Sequence, residues 1–146
     1  MGSKATKRRK EKEVIVAIQI TNAGNDIILK NFVGINTQTE ELILKLYANN
    51  ATPTLVSEAD TFVEVADTGG YEAKTLTATN WSVNAGSAIT SPLFFSFNTF
   101  VGQIYGYYLV GKNTGTVVAA ERFNSGPFTI ANPGDTVTIT VSLSLI

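Results

Sequence analysis

The sequence predicts an all-β protein: an antiparallel β-sandwich or jelly roll of about eight strands, with one short helix and a disordered basic N-terminal arm. From residue 40 onward, short runs of alternating apolar and polar residues follow one another, as expected for strands buried on one face. Clusters rich in Gly, Asn, Asp and Pro separate these runs and predict turns. Thr, Asn and Ser supply most of the polarity, which suits strand faces better than helix faces.

The predicted elements follow closely along the chain. A β-branched run at 13–20 predicts a strand, and 25–34 predicts a short helix, with a strand as the alternative. Asn25 or Asp26 is the expected N-cap and Gly34 the residue just past the helix end. The remaining strands are expected at 41–49, 61–67, 79–86, 92–100, 103–110, 115–123, 126–135 and 136–146.

Three runs also predict which side chains share a face. In the helix, Ile28, Leu29, Phe32 and Val33 form an apolar face. In 61–67, Phe62 is expected opposite Val63 and Val65. The last strand is expected to place on one face Val137, Ile139, Val141, Leu143 and Leu145.

Length and charge predict one domain with an arm. A chain of 146 residues can bury a core without disulfides or a bound metal. We expect a flexible arm at 1–13 and one β-sandwich domain at 14–146. The arm holds six Lys or Arg and two Glu, a net charge of 6 − 2 = +4, and the rest holds five basic and ten acidic residues, a net charge of −5. Only 16% of the residues are charged, so part of the surface is expected to be covered by neighbours.

The composition excludes several kinds of site. The chain has no cysteine and no histidine, which rules out thiol nucleophiles, structural zinc sites and Ser-His-Asp triads. The acidic group Glu58, Asp60, Glu64 and Asp67 lacks the spacing of a calcium loop and is interpreted as solvated surface. A glycosidase needs only two carboxylates, but no pair is marked by its neighbours. We therefore assign no catalytic, cofactor-binding or metal-binding residue.

The basic arm is the one stretch whose charge calls for a partner. Its cations are Lys4, Lys7, Arg8, Arg9, Lys10 and Lys12. They could neutralise nucleic-acid phosphates or lie along an acidic protein groove. No aromatic residue interleaves them, so base stacking is not indicated. A solvated tail that aids solubility is the alternative.

Glu121 and Arg122 form the second candidate contact. Adjacent strand residues point to opposite faces, so these two side chains cannot pair with each other in a regular strand. One interpretation is a contact between subunits. The other is an Arg laid over an aromatic ring such as Tyr107 or Phe123.

Neither a membrane span nor a signal peptide is expected. No apolar run reaches the roughly 18 residues that a spanning helix needs. The basic start is followed by an apolar run that Gln19 interrupts, with no small-residue cleavage site after it.

Several blocks resemble a family of small virion proteins of tailed bacteriophages. The blocks are "LILKLYANNATP" (42–53), "GGYEAKTLTATNWSV" (69–83), "IYGYYLV" (104–110) and "AERFNSGPFTIANPGDTVTITVSLSL" (120–145). The resemblance implies a jelly-roll β-sandwich on the particle, commonly a capsid cement or decoration protein that bridges subunits of the major capsid protein. It also implies that Glu121 and Arg122 belong to the fold. The basic start departs from the family pattern and suggests an anchor particular to this chain.

With this resemblance, the chain is expected to be a non-enzymatic cement protein on the capsid surface of the virion, assembled in the host cytoplasm. Its expected partners are the major capsid protein and further copies of itself, with a trimer favoured by analogy. Nucleic acid is a possible partner of the arm. The alternatives are a tail, neck or fibre component, and a jelly-roll capsid protein whose arm binds nucleic acid.

Overall fold

The computed structural model describes residues 18–35 and 40–144, and it confirms the all-β fold class. The predicted arm at 1–13 lies outside these residues. Twelve strands, one α-helix and two short 3-10 turns are present in the described part. In chain order they are β1 (Gln19–Ile20), α1 (Asn22–Phe32), β2 (Leu42–Tyr47), a 3-10 turn (Ala59–Thr61), β3 (Lys74–Leu76), a 3-10 turn (Ala78–Asn80), β4 (Trp81–Asn84), β5 (Ser87–Thr90), β6 (Leu93–Ser96), β7 (Gly102–Ile104), β8 (Gly106–Gly111), β9 (Val117–Arg122), β10 (Phe128–Ile130), β11 (Thr136–Ile139) and β12 (Ser142–Ser144).

All strand pairs are antiparallel. One sheet has five strands in the order β1-β9-β8-β2-β3, and a three-stranded sheet has the order β12-β5-β4. Two further ladders pair β10 with β7 and β11 with β6. The arrangement is a β-sandwich in which the long strands β2, β8 and β9 form the centre of the largest sheet.

The main core lies between the five-stranded sheet and the smaller ladders. Leu44 and Leu46 of β2 and Leu109 of β8 are fully buried on one side, against Phe95 of β6 and Ile139 of β11 on the other. A second cluster covers the opposite face of the large sheet, where Tyr47, Phe62 and Tyr108 pack their rings together. Both faces of β8 are therefore buried, which explains its uninterrupted apolar sequence.

The helix begins earlier than predicted. Thr21, not Asn25 or Asp26, is the N-cap: its hydroxyl oxygen accepts a hydrogen bond from the Gly24 amide at 3.0 Å. The same hydroxyl donates to the carbonyl oxygen of Val117 at 2.7 Å and so ties the helix start to β9. Gly34 lies just past the helix end with a φ of +78°, as predicted.

Several predicted strands differ in extent. The run 61–67 is not a regular strand, because only Glu64 forms an isolated bridge, to Tyr47. The last run is two strands, β11 and β12, and the run 103–110 is divided between β7 and β8. Strands β3 and β5 were not predicted. The part of the first predicted strand at 13–17 lies outside the described residues.

Candidate functional site

Glu121 is a buried carboxylate in the main core. It lies on β9, is 3% exposed, and accepts a hydrogen bond from the Tyr107 hydroxyl at 2.6 Å. Its second oxygen, Oε2, has no hydrogen-bond partner among the described residues. The register pairs Tyr107 of β8 directly with Glu121, which is why the two side chains meet on one face of the sheet.

Burial decides the ionisation of this pair. Removal from water raises the pKa of Glu121 from 4.5 to about 7, and the Tyr107 hydrogen bond opposes that rise only in part. Burial also raises the pKa of Tyr107, so its hydroxyl keeps its proton and acts as the donor. Glu121 therefore gains or loses its proton near neutral pH.

Arg122 points to the other face of β9. Its guanidinium lies 5.2 Å from the centre of the Tyr105 ring, and Nη1 donates to the carbonyl oxygen of Ala51 at 3.0 Å. The predicted stacking of Arg122 on an aromatic ring is thus present, on Tyr105 instead of Tyr107 or Phe123. Arg122 is half-buried in this position.

The two members of the Glu121–Arg122 pair have different roles in the fold. Glu121 faces the core of its own chain and Arg122 ties β9 to the loop that contains Ala51. As predicted from strand geometry, they do not contact each other by an ion pair. A subunit contact through Arg122 stays a prediction.

Several exposed apolar side chains surround α1. Phe32 is 86% exposed, and five further large apolar side chains at the helix or beside it are exposed by 48 to 75%. We call these six residues the α1 surface: Leu29, Phe32, Val33, Ile35, Leu55 and Val56. The Asn22 amide donates to the Leu55 carbonyl oxygen at 2.8 Å, which holds the loop of Leu55 and Val56 beside the helix. The apolar helix face predicted from the sequence is therefore present, but most of it is exposed.

The opposite side of α1 packs on the sheet through its smallest residue. Gly24 is buried, and a Cβ added there would overlap the carbonyl oxygen of Val118. Beside this contact, a mostly apolar cleft of about 250 Å³ lies between helix and sheet. Its lining includes Ile27, Ile28, Leu42 and Leu143. A second groove, of about 610 Å³, lies between α1 and β1.

The basic and acidic residues singled out from the sequence are placed as follows. The six cations of the arm lie outside the described residues. Among the acids, Glu64 accepts a hydrogen bond from the Tyr71 hydroxyl at 2.8 Å and pairs with Lys45 at 3.4 Å. Within 18–35 and 40–144, no three Asp or Glu side chains are grouped so that they could hold a metal ion.

The described part of the chain contains no helix that is long and apolar enough to cross a membrane. Comparison of the chain with protein-family models, with curated proteins and with solved structures gives no match. The resemblance to virion proteins thus stays a prediction.

Sequence reasoning missed the contact between Tyr107 and Glu121 and the exposure of the α1 surface. The contact between Tyr107 and Glu121 depends on the strand register across the β8–β9 hairpin, which the sequence did not settle. The sequence does indicate an extra apolar side on this helix, because the helical run has apolar residues at 27 and 28 as well as at 29, 32 and 33. Apolar residues spread so widely around one short helix cannot all face the same sheet.

Proposed function

We propose that this protein is a non-enzymatic virion protein of a tailed phage, a cement protein that bridges subunits of the major capsid protein on the capsid surface. A cement protein must contact more than one neighbour. The observation that carries the proposal is that large apolar side chains stay exposed on separate parts of the β-sandwich. The first part is the α1 surface. The second is the outer side of β5 and β6, where Ile89 is 43% and Phe94 62% exposed.

Two further features support this function. The blocks that resemble phage virion proteins span most of the described strands. The body carries a net charge of −5 against +4 on the arm, which suits an arm that anchors on an acidic groove or on packaged DNA. A protein that binds only the assembled lattice stabilises it by mass action, and many weak contacts add up across a closed shell. We also propose a homo-oligomer, a trimer at the threefold positions of the lattice.

The first test is the copy number of this chain in purified particles. We expect one copy per capsid subunit, or per few subunits, measured against the major capsid protein. Particles stripped of the protein should burst at lower temperature and in milder osmotic shock, and adding back purified protein should restore them. Stripped particles as robust as intact ones would contradict the cement role. A ratio of a few per cent or less would move the protein to the tail or neck.

Deleting residues 1–13 should weaken attachment to capsids and leave the melting temperature of the free protein unchanged, because a segment so rich in charge is not expected to contribute to the core. The measurements are pelleting with capsids and thermal unfolding by circular dichroism. A matched control replaces the six cations of the arm by Gln and keeps its length. It separates the effect of the arm's charge from the effect of its length. A large drop in melting temperature on deletion would mean that the arm belongs to the folded unit. Loss of DNA binding instead of capsid binding would identify nucleic acid as the partner.

A further inference from the structure

We propose that a second copy of this chain covers the α1 surface, with the two α1 helices lying antiparallel across a twofold axis. This contact between copies goes beyond the cement function: it assigns the α1 surface to another copy of the chain and leaves the outer side of β5 and β6 for the capsid subunits. It is expected in the free protein in solution as well as on the capsid.

The size of the α1 surface fits one side of a protein–protein interface. Its six side chains, exposed by 48 to 86%, present on the order of 600 Å² of apolar area, the upper end of the largest patch on a typical monomer. A standard interface buries about 800 Å² on each partner, of which somewhat more than half is apolar. The α1 surface alone can therefore supply the apolar part of such an interface.

The charges on α1 favour a second helix that runs the opposite way. Asp26 and Lys30 lie one turn apart, and both are exposed. Within the described residues, neither forms an ion pair. If two helices cross in antiparallel order near Ile28, Asp26 of each copy lies opposite Lys30 of the other, because the two residues are equally far from the crossing point. A parallel pair would place like charges together and align the two helix dipoles unfavourably.

The same crossing gives Phe32 a place to bind. In an antiparallel pair centred near Ile28, Phe32 of one copy lies beside Asn25 of the other, because the neighbouring Gly24 is buried against Val118 and faces the sheet. Asn25, together with Ile28, Ile18 and Ile20, lines the groove of about 610 Å³ between α1 and β1. An aromatic side chain inserted in an apolar groove is the kind of anchor that dominates binding energy at interfaces. Phe32 is thus the expected anchor, used twice by symmetry.

A twofold contact between α1 helices is compatible with a trimer bound at a threefold position of the capsid lattice. Trimers on neighbouring threefold positions of a closed icosahedral lattice are related by twofold or local twofold axes. Contacts between α1 helices would then join one trimer to the next. In free solution the contact predicts an even number of copies in each particle.

The test is the mass of the full chain in sedimentation velocity over a dilution series. We expect the wild-type protein to dissociate on dilution, and Phe32→Ser to halve the particle mass and raise the dissociation constant at least roughly 10-fold. Phe100→Ser is the matched control, because Phe100 is 65% exposed but lies outside α1. Asp26→Lys should raise the dissociation constant about 5-fold, and adding Lys30→Asp should restore the wild-type value.

Two results would overturn this proposal: a wild-type protein that is a monomer at every concentration, or an oligomer whose mass Phe32→Ser does not change. If the mass is unchanged and capsid binding is abolished, the surface belongs to the contact with the capsid protein. A melting temperature lowered by several degrees in Phe32→Ser, with no change in mass, would mean that the same chain covers this side chain.

Discussion

Replacing Gly106 by Ala should cost about 3 kcal/mol of unfolding free energy, a large fraction of the stability of a small domain. Gly106 begins β8 and pairs with Tyr47 of β2 and Arg122 of β9. A Cβ at this position would overlap the backbone carbonyl oxygen of Glu121 and lie 2.5 Å from the Tyr47 hydroxyl oxygen. Two neighbouring strands would have to separate, because neither atom is the free end of a flexible side chain. Urea unfolding of both proteins measures the difference.

The same substitution should disturb the Arg122 contact. The Tyr47 hydroxyl donates to the carbonyl oxygen of Ala51 at 3.1 Å, and the same oxygen accepts from Arg122. Gly111→Ala is the matched control at the other end of β8. There a Cβ meets the side-chain ends of Glu40 and Thr114, which can rotate away, so we expect a cost below about 1 kcal/mol. Equal losses of unfolding free energy in Gly106→Ala and Gly111→Ala would show that β8 does not pack at Gly106 as described.

The fold class was predictable because alternation and turns are local properties of the sequence. Val137, Ile139 and Val141 are all buried, as their spacing predicts. The division of this run into two strands was not predictable. The Val141 amide donates to the Thr90 side-chain oxygen at 3.0 Å, so the backbone departs from the ladder there. The partner in this bond is a side chain fifty-one residues away, which local sequence patterns do not reveal.

The prediction for 61–67 was wrong for a similar reason. Phe62 packs in the second cluster and Val65 in the main core, so these two lie on opposite sides as expected, but Val63 is 58% exposed and does not share the environment of Val65. Asn49 binds this segment with its side-chain amide: its nitrogen donates to the Thr61 carbonyl oxygen at 3.0 Å, and its oxygen accepts from the Val63 amide at 2.8 Å. At the start of the segment these side-chain bonds satisfy backbone groups that a regular strand would pair with a neighbour, and only residues 63–65 bond to the backbone of 46–48.

The buried contact between Tyr107 and Glu121 shows why the candidate site was harder to predict than the fold. Val110 pairs with Val117 beside the β8–β9 turn, and counting outward from that pair in regular register would place Gly106 opposite Glu121. A bulge between Leu109 and Val110 shifts the register by one residue, so Tyr107 takes that place. A shift of one residue exchanges the two faces of a strand, and the sequence carried no clear signal for it.

Glu121 should make the protein less stable at alkaline than at mildly acidic pH. Its pKa is about 7 in the folded chain because of burial, against an ordinary value of 4.5, so the folded state binds this proton more tightly than the unfolded state does. The contribution is fully present below pH 4.5 and is lost as the pH rises through 7. At about 1.4 kcal/mol for each pH unit of difference, the loss above pH 7 amounts to about 3 kcal/mol.

Glu121→Gln removes the charge and retains the shape of the side chain. In this variant the decrease of the unfolding free energy between pH 5 and 8 should therefore be absent. At pH 8 the variant should be the more stable protein, and at pH 5 the two should be similar. Tyr107→Phe removes the hydrogen bond that lowers the pKa of Glu121, so the fall should move to higher pH. Glu64→Gln is the control, because Glu64 also accepts a hydrogen bond from a tyrosine. It leaves Glu121 in place, so the unfolding free energy should still decrease between pH 5 and 8. Parallel curves for the wild type and Glu121→Gln would contradict burial of an ionisable carboxyl, because only a proton held more tightly in the folded state produces the difference.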